Sequence, residues 1–430
     1  MCIRDSIKGS PSDKQGELKK DDEIQKVGQG DAKPVDITEM EMDEAIELIK
    51  GKKGTEVRLT VKKADGAIKV IPIIRDVIDM DETFAKSALL NNNKTKVGYI
   101  HLPSFYTDFT GTGSGTHRCA TDMRNEIEKL KRIGVKSLVI DLRDNGGGSL
   151  QEVVMMAGLF FPKGPVVQVK DRVGHIKVME DYNPDVVWDG PLAIMVNNGS
   201  ASASEILAAA LQDYKRAVII GTPTFGKGTV QSFLDLDGYL MPQFDTIKPI
   251  GQVKVTQQKF YRVNGGSTQL KGVTPNVVLP DLYALIDRGE RELEYPMPWD
   301  EISKASYTEF NTINYDKLNK NSTARIKKNE QFKAVEDFSK EYKAKRDESL
   351  VNLKLEKFRS EQKYWRDQNK KYEDIKKDIK DFNASPLDED LAVLKGKNDT
   401  AKVGIANRWA KNIAKDIYIC EASNIVSEIK

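Results

Sequence analysis

Cysteine and histidine are scarce in this chain of 430 residues, which contains three of each. The cysteines, Cys2, Cys119 and Cys420, lie far apart and form no CxxC pair, so they exclude a cysteine-built zinc site and allow one disulfide at most. The histidines are scattered without the spacing that metal ligands require. The sequence therefore implies neither a bound metal nor a cofactor.

Long apolar runs and a strong net charge are absent as well. No apolar segment approaches the roughly 20 residues that a membrane-spanning helix needs. Residues 1–18 lack the apolar core of a signal peptide, so we expect a truncated chain without an export signal. A net charge of +2 gives no reason to expect nucleic acid or an anionic membrane as the main partner.

The length of the chain predicts two or three domains, because 430 residues exceed one compact core. Residues 1–78 are typical of a small module that mixes helix and strand. Within it, "EMDEAIELIKGKKG" predicts an amphipathic helix closed by Gly51 and Gly54. The stretch "TEVRLTVKKADGAIKVIPIIR" predicts a hairpin that turns at Ala64, Asp65 and Gly66.

Residues 79–290 have the pattern of an α/β domain. The runs "KVGYIHLPSF", "KSLVIDLRDN", "PLAIMVNNGS" and "RAVIIGTPT" are short and apolar, as expected for strands buried on both faces of a sheet. Predicted helices alternate with them, in "TDMRNEIEKLKRIG", "LQEVVMMAGLFF" and "SEILAAALQDYKR". The segment 111–117, "GTGSGTH", is expected to be a flexible loop.

Residues 291–430 are rich in Lys, Glu and Asp and favour a mostly helical, solvated extension of the core. Apolar residues recur at helical spacing at Phe332, Val335, Phe338 and Tyr342, and again in the pair Leu350 and Leu353. Basic residues are interleaved with acidic ones rather than gathered in a patch, which argues against nucleic-acid binding.

Three segments rich in small residues follow predicted strands: "DNGGGSL", "GSASASE" and "TFGKGTVQ". Functional sites of α/β folds lie at such strand ends. Phosphate binding is disfavoured, because no Walker lysine follows the first segment and "GKGT" lacks the preceding GxxxxG frame.

Nucleophilic catalysis suits these segments better. Ser202 or Ser204 could act as the nucleophile, and Lys227 as its base if burial lowers the pKa of the amine. The flanking glycines would let the backbone of Lys227 approach other segments closely. An oxyanion hole would need one backbone N–H from residues 146–148 and a second from the residue after the nucleophile.

The motifs "SASASEILAAALQDY", "GTPTFGKGTVQ" and "FYRVNGGSTQLKGVTPNVVLPD" resemble the tail-specific protease, or C-terminal processing peptidase, family of PDZ-containing serine proteases. The resemblance covers almost the whole chain, since "EYPMPWDEI" and "ARIKKNEQF" are similar to the helical C-terminal domain of the long, periplasmic branch. It implies an α/β core of the crotonase or Clp-protease type, a partial PDZ domain before that core and a mostly helical domain after it.

The resemblance also implies the site residues. In that family the nucleophile is the first serine of an SAS followed by Glu, and the catalytic lysine comes 25 positions later, which matches Ser202 and Lys227. Gln231 corresponds to the glutamine that orients the lysine. The oxyanion-hole donors correspond to Gly148 and Ala203. Ser204 is then expected to cap free N–H groups at the helix start.

Three further residues carry separate expectations. Asp213 matches a position described as a third catalytic member, but a helix over 203–213 would place it about 15 Å from Ser202, so a catalytic and a structural role both stay open. Arg143 is expected to order the glycine loop through hydrogen bonds. His101 is expected to be an ordinary strand residue, since the mechanism needs no histidine.

The resemblance implies a serine endopeptidase that cleaves unfolded or C-terminally tagged proteins in the periplasm, with association at the inner-membrane surface and a lipoprotein adaptor as further expectations. The carboxylate-binding loop of the PDZ domain would precede "GSPSDKQGEL", so substrate sensing is expected to be incomplete. A non-catalytic PDZ scaffold and a hydratase-like enzyme of the related fold are the alternatives, and neither needs a serine–lysine pair.

Overall fold

The computed structural model describes residues 10–76, 83–92, 95–107, 117–373 and 377–429. Nearly all of the predicted loop 111–117 lies outside these residues. The chain divides into two compact units, Met1–Glu82 with Glu389–Arg408, and Thr83–Asp388 with Trp409–Lys430. The domain boundaries that we predicted at residues 78 and 290 stay predictions. The structure groups most of the C-terminal segment in one unit with the α/β core.

The first unit contains a four-stranded antiparallel sheet in the order β2-β1-β3-β4. Its strands are β1 (Glu23–Gln29), β2 (Val35–Asp36), β3 (Glu56–Lys62) and β4 (Ile68–Ile74). Its helices are α1 (Pro11–Gln15), α2 (Met42–Ile49), α9 (Asp388–Gly396) and the first part of α10 (Thr400–Ile413). The predicted helix and hairpin are confirmed, with Gly66 at a φ of 89° in the turn.

The second unit is built on a seven-stranded sheet in the order β14-β11-β10-β7-β6-β5-β15. Its strands are β5 (Lys86–Asn92), β6 (Thr95–His101), β7 (Ser137–Asp141), β10 (Leu192–Val196), β11 (Val218–Gly221), β14 (Val277–Val278) and β15 (Phe382–Pro386). The strands from β6 to β14 pair in parallel, so their carboxyl ends share one edge. The four predicted apolar runs are confirmed as β6, β7, β10 and β11.

Helices cover both faces of this sheet because successive side chains of a buried strand point to opposite sides. Leu138 and Ile194 pack on one face, among residues of α3 (Cys119–Ile133), α4 (Leu150–Ala157) and α5 (Ala203–Asp213). Val139 and Ala193 pack on the other face, with α11 (Ile417–Ser427). Burial on both faces explains why these strands carry mostly apolar residues.

A second sheet in the same unit is antiparallel, in the order β12-β13-β8-β9. Its strands are β8 (Gly164–Asp171), β9 (Ile176–Asp181), β12 (Thr229–Asp235) and β13 (Gln252–Tyr261). Sequence patterns did not predict it, because much of β9, β12 and β13 is exposed and carries polar residues. Its strand β12 nevertheless begins directly after the Lys227 loop.

The C-terminal segment is mostly helical, with α6 (Tyr315–Lys328), α7 (Glu330–Asp347) and α8 (Leu355–Glu373) before α11. Phe332, Val335 and Phe338 form the buried side of α7, as predicted. The prediction that Leu350 and Leu353 lie on the apolar side of a helix is wrong. Both residues lie between α7 and α8, and they are 82% and 96% exposed. None of the helices described is long and apolar enough to cross a bilayer.

Candidate active site

Three loops leave the carboxyl ends of neighbouring parallel strands and meet at one place. Backbone hydrogen bonds join them in sequence: Ala201 N donates to Asn145 O at 3.0 Å, and Phe225 N donates to Ser200 O at 3.0 Å. The loops follow β7, β10 and β11 and comprise residues 142–149, 197–202 and 222–228. The structure thus brings the three small-residue segments of the sequence into one site.

Ser202 stands at the N-terminal end of α5 with a φ of 58°. Positive φ is uncommon outside glycine and costs free energy, so it marks a position where the surrounding structure enforces the backbone conformation. The side chain is half-buried at the positive end of the helix dipole.

Ser204 has a different role from the one predicted. Its buried hydroxyl donates a hydrogen bond to Asn145 O at 2.8 Å, across to the glycine loop. The N-cap position of α5 belongs to Ser202 instead. The prediction that Ser204 caps free N–H groups is therefore wrong, because a serine two residues inside the helix faces the neighbouring loop.

The glycine loop packs directly against the Ser202 turn. A Cβ atom on Gly147 would lie 2.8 Å from Ser202 Cβ and 3.0 Å from Ala203 N, and one on Gly148 would lie 2.3 Å from Phe105 O. Only glycine fits at this close approach. Within the described residues, the N–H groups of Gly148 and Ala203 donate to no protein acceptor. Both groups are therefore available to a ligand oxygen.

Asn145, which is fully buried, orders this loop. Its side-chain amide donates to Leu102 O and accepts from Gly147 N, both at 2.9 Å. Its backbone oxygen accepts from Ala201 N and from the Ser204 hydroxyl. Sequence reasoning missed this residue, although an asparagine directly before a run of glycines is a recognisable turn signal.

Arg143 does not order the glycine loop in the predicted way. Its guanidinium binds Asp141 through two nitrogens and reaches Asp416, the N-cap of α11, at 3.0 Å. Arg143 therefore links the end of β7 to a C-terminal helix, and the loop geometry depends on Asn145.

Lys227 lies between two glycines whose backbone packs closely against other segments. A Cβ on Gly226 would meet the backbone of Leu270 at 3.0 Å, and one on Gly228 would meet Gln269 N at 2.7 Å. Lys227 is half-buried as a residue, and its amine donates an exposed hydrogen bond to Gln231 Oε1 at 3.4 Å. The structure therefore brings these two predicted residues together.

Ser202 and Lys227 are joined through the carboxylate of Glu205, which is fully buried. Its Oε2 accepts hydrogen bonds from the backbone N of both residues, at 2.8 and 2.9 Å. Its Oε1 accepts from the Thr224 hydroxyl at 2.6 Å and from Gly226 N at 2.7 Å. The two backbone nitrogens therefore lie within two hydrogen-bond lengths of each other.

Burial raises the pKa of Glu205 to about 7, against the four hydrogen bonds that favour its ionised form. The Ser-x-x-Glu spacing of 202–205 is that of a capping box and could have indicated this residue in the sequence. Among the residues described, no hydrogen bond connects the Ser202 hydroxyl with the Lys227 amine.

Asp213 lies at the far end of α5, ten residues and about 15 Å along the axis from Ala203. Its buried carboxylate accepts from the Arg262 guanidinium at 2.6 and 3.0 Å and from Asn264 Nδ2 at 3.0 Å. The structure separates Asp213 from Ser202, as the predicted helix over 203–213 implied. Its contacts give it a structural role between α5 and the segment after β13.

We expect the Asp213–Arg262 pair to behave as a buried structural ion pair. Asp213→Ala should destabilise the fold by about 3–5 kcal/mol, because it leaves the guanidinium partly buried without its carboxylate. Arg262→Leu should cost a similar amount, and the double variant clearly less than the sum of the two. Denaturant unfolding of all four proteins gives the coupling. Strict additivity would show that the two side chains do not interact.

The histidines take no part in the site. Burial lowers the pKa of His101 at the end of β6. His117 contacts Asp122 at 3.0 Å, and the exposed His175 contacts Asp171 at 3.4 Å. Nor does the described part of the chain contain a cluster of three or more His, Cys, Asp or Glu side chains suited to a metal ion.

Three family models match the chain. Residues 96–279 match peptidase family S41, residues 283–430 match the C-terminal domain of tail specific protease, and residues 2–62 match the PDZ domain. The S41 segment contains the three loops and every predicted site residue.

The chain is similar to curated proteases over most of its length. It is 37% identical over 401 residues to the tail-specific protease of Haemophilus influenzae, covering 90% of this chain and 56% of that protein. It is 34% identical over 284 residues to the carboxy-terminal processing protease CtpA of Bacillus subtilis, covering 65% and 54%. The chain thus spans about half the length of the curated relatives it matches.

Two solved structures are also similar to parts of this chain. The photosystem II D1 C-terminal processing protease is 25% identical, with a TM-score of 0.40 over 65% of this chain and 68% of that one. The PDZ domain of a carboxy-terminal protease from Vibrio cholerae, solved in complex with a peptide, is 35% identical over 18% of this chain and 82% of its own, with a TM-score of 0.18.

Proposed function

Because this chain belongs to peptidase family S41, in its tail-specific protease branch, we propose that it hydrolyses peptide bonds with Ser202 as nucleophile and Lys227 as general base. The observation that carries the proposal is the Glu205 carboxylate, one oxygen of which holds the backbone of both residues.

In the proposed reaction, the neutral Lys227 amine accepts the Ser202 proton as the hydroxyl oxygen attacks the scissile carbonyl carbon. The N–H groups of Gly148 and Ala203 stabilise the negative oxygen of the tetrahedral intermediate. The Lys227 ammonium then returns the proton to the leaving amine, and water releases the acyl-enzyme. Catalytic hydrogen bonds often tighten only when substrate binds, which accommodates the open Ser202–Lys227 geometry.

We extend the proposal to the setting of the reaction. The substrates are unfolded or C-terminally tagged proteins, and the PDZ segment binds C-terminal tails. A periplasmic location at the inner-membrane surface is proposed from the resemblance of the C-terminal motifs to the long, periplasmic branch of the family. A lipoprotein adaptor would bring further substrates to the enzyme.

The proposal is tested with a fluorophosphonate probe, which reacts with activated serines. The chain should label once, and mass spectrometry should find the adduct on Ser202. Ser202→Ala should abolish labelling, while Ser204→Ala should keep the adduct on Ser202. A chain that does not label, or that labels at Ser204, would refute the assignment, and a non-catalytic scaffold would not label at all.

Activity is expected to fall as the pH drops through about 7. Protonation of Glu205 removes an acceptor that holds Ser202 N and Lys227 N, so the ionised form is the competent one. Thr224→Val deletes a hydrogen bond that lowers the pKa of Glu205 and should move the acidic midpoint of kcat/KM upward, by about one pH unit or less.

Thr222→Val is the matched control for this shift. Its hydroxyl is buried and, among the described residues, has no hydrogen-bond partner. Rate profiles from pH 5.5 to 9 should therefore coincide for Thr222→Val and the parent chain. An unmoved midpoint in Thr224→Val would contradict the assignment of the acidic limb to Glu205.

A further inference from the structure

The strand β12 is an edge strand that begins beside the proposed general base. It starts at Thr229, two residues after Lys227, and includes Gln231. In the described part of the chain its one strand partner is β13. Alternate residues of an antiparallel pair direct N–H and C=O groups to the partner, so the others present theirs to the open edge. A row of unpaired backbone groups therefore starts at the candidate active site.

This edge lacks the usual protection against strand pairing. The β12 sequence "TVQSFLD" contains neither lysine nor proline, and its single charge, Asp235, is its last residue. The opposite edge strand of the same sheet, β9, has the sequence "IKVMED", with Lys177, Glu180 and Asp181. Charged side chains on an edge discourage pairing with other chains. Of the two edges, β12 is the one open to an added strand.

The segment after this strand exposes many large apolar side chains. We call residues 233–253 the apolar arm, which includes the 3-10 helical turns Leu236–Tyr239 and Pro242–Ile247. Its exposed apolar residues are Phe233, Tyr239, Met241, Phe244, Ile247, Ile250 and Val253. Exposed apolar side chains at this density mark interaction surfaces.

The geometry points to one occupant. We propose that the β12 edge and the apolar arm bind an extended, unfolded segment of the substrate polypeptide, rich in apolar side chains, as an added strand; this rests on the proposed function. Backbone hydrogen bonds along β12 would hold any sequence, and the arm would select apolar side chains. Phe233 follows Gln231 by two residues and so shares its face of the strand, in line with the active site.

This arrangement would discriminate folded from unfolded proteins. A folded protein has its strands paired and its apolar side chains buried, so it presents neither the backbone nor the surface that the edge and the arm require. A second copy of this chain on the same edge would instead occupy the approach to Ser202 and Lys227. Substrate is therefore the occupant that continuity with the active site favours.

The test measures peptide binding apart from catalysis. The full chain carrying Ser202→Ala is titrated into a fluorescent apolar peptide of about ten residues, longer than a typical strand. The peptide is amidated at its C-terminus, so it offers no carboxylate to the PDZ segment. The arm variant combines Phe233→Ser, Tyr239→Ser and Met241→Ser. The matched control combines Val173→Ser, Ile176→Ser and Tyr182→Ser, which are also exposed and belong to the β8–β9 side of the sheet.

The arm variant should weaken peptide binding about tenfold or more, while the control should stay within about twofold of the parent. Equal affinities of the arm variant and the control would overturn the proposal. So would an arm variant that converts a dimer to a monomer in sedimentation but binds peptide normally, since the edge would then bind a second copy. If the Ser202→Ala chain binds the peptide but the unsubstituted chain does not react with the fluorophosphonate, the proposed function is refuted while the proposed docking surface is supported.

Discussion

Lys227→Met is expected to lower kcat for hydrolysis of an unfolded polypeptide by roughly 10⁴–10⁶-fold, the range seen when a serine hydrolase loses its base. Methionine retains the length of the side chain and removes only the amine. Among the described residues, that amine has a single hydrogen bond, to Gln231 Oε1 at 3.4 Å, so the fold should be little affected. Steady-state kinetics and a thermal unfolding curve of the same preparation separate the two effects.

Gln231→Ala provides the comparison for this result. It removes the hydrogen-bond partner of Lys227 but keeps the amine, so we expect a loss of about tenfold or less. Lys227→Met with parent-like kcat would eliminate Lys227 as the base. A Gln231→Ala loss as large as that of Lys227→Met would mean that the glutamine is as necessary to the reaction as the amine.

Glu205 substitutions are expected to have the second-largest effect, on stability and catalysis together. Glu205→Ala leaves buried N–H and O–H donors without their acceptor, and each costs about 1–3 kcal/mol, so a total above about 4 kcal/mol is expected. Glu205→Gln keeps one acceptor oxygen and should fold. Its fluorophosphonate labelling should slow by about 10²-fold or more, because the backbone positions of Ser202 and Lys227 are no longer coupled.

Glu126→Gln is the matched control for this slow labelling. Glu126 is a buried carboxylate on α3 that accepts from the Ser87 hydroxyl, away from the three loops. It should lose stability as Glu205→Gln does, yet label at the parent rate once folded. The positioning role of Glu205 fails if both variants label at the parent rate in conditions where circular dichroism shows them folded.

Much of the α/β core could be predicted from local sequence, because a strand that is buried on both faces is a short run of mostly apolar residues. The strands β7 and β10 are buried at every residue and apolar at nearly all of them, so a window of five residues suffices. The β12–β13 hairpin leaves no comparable mark, since alternate exposure of short polar strands is also the pattern of many loops. The strand β15 pairs with β5 although nearly 300 residues separate Phe382 from Asn92.

The proposed reacting residues could be named from the sequence, but the long-range hydrogen bonds that hold them in place could not. Ser202, Lys227 and Gln231 occur in short motifs whose spacing carries the family resemblance. Glu205 and Asn145 act through hydrogen bonds to segments as far as 59 residues away, and no local pattern reports such pairing. The Arg262 partner of Asp213 lies 49 residues further along the chain.

By itself, the sequence determined four buried strands of the parallel sheet, where the small-residue loops fall and which serine and lysine carry the family motif, because each of these depends on neighbours in the chain. Only the tertiary structure decided that one buried carboxylate holds the backbone of both Ser202 and Lys227, that Asp213 faces an arginine instead of Ser202, and that β12 is left open at its edge. Those features depend on which distant segments pack together. That packing determines which partners a buried charge has and whether the edge of a strand stays unpaired.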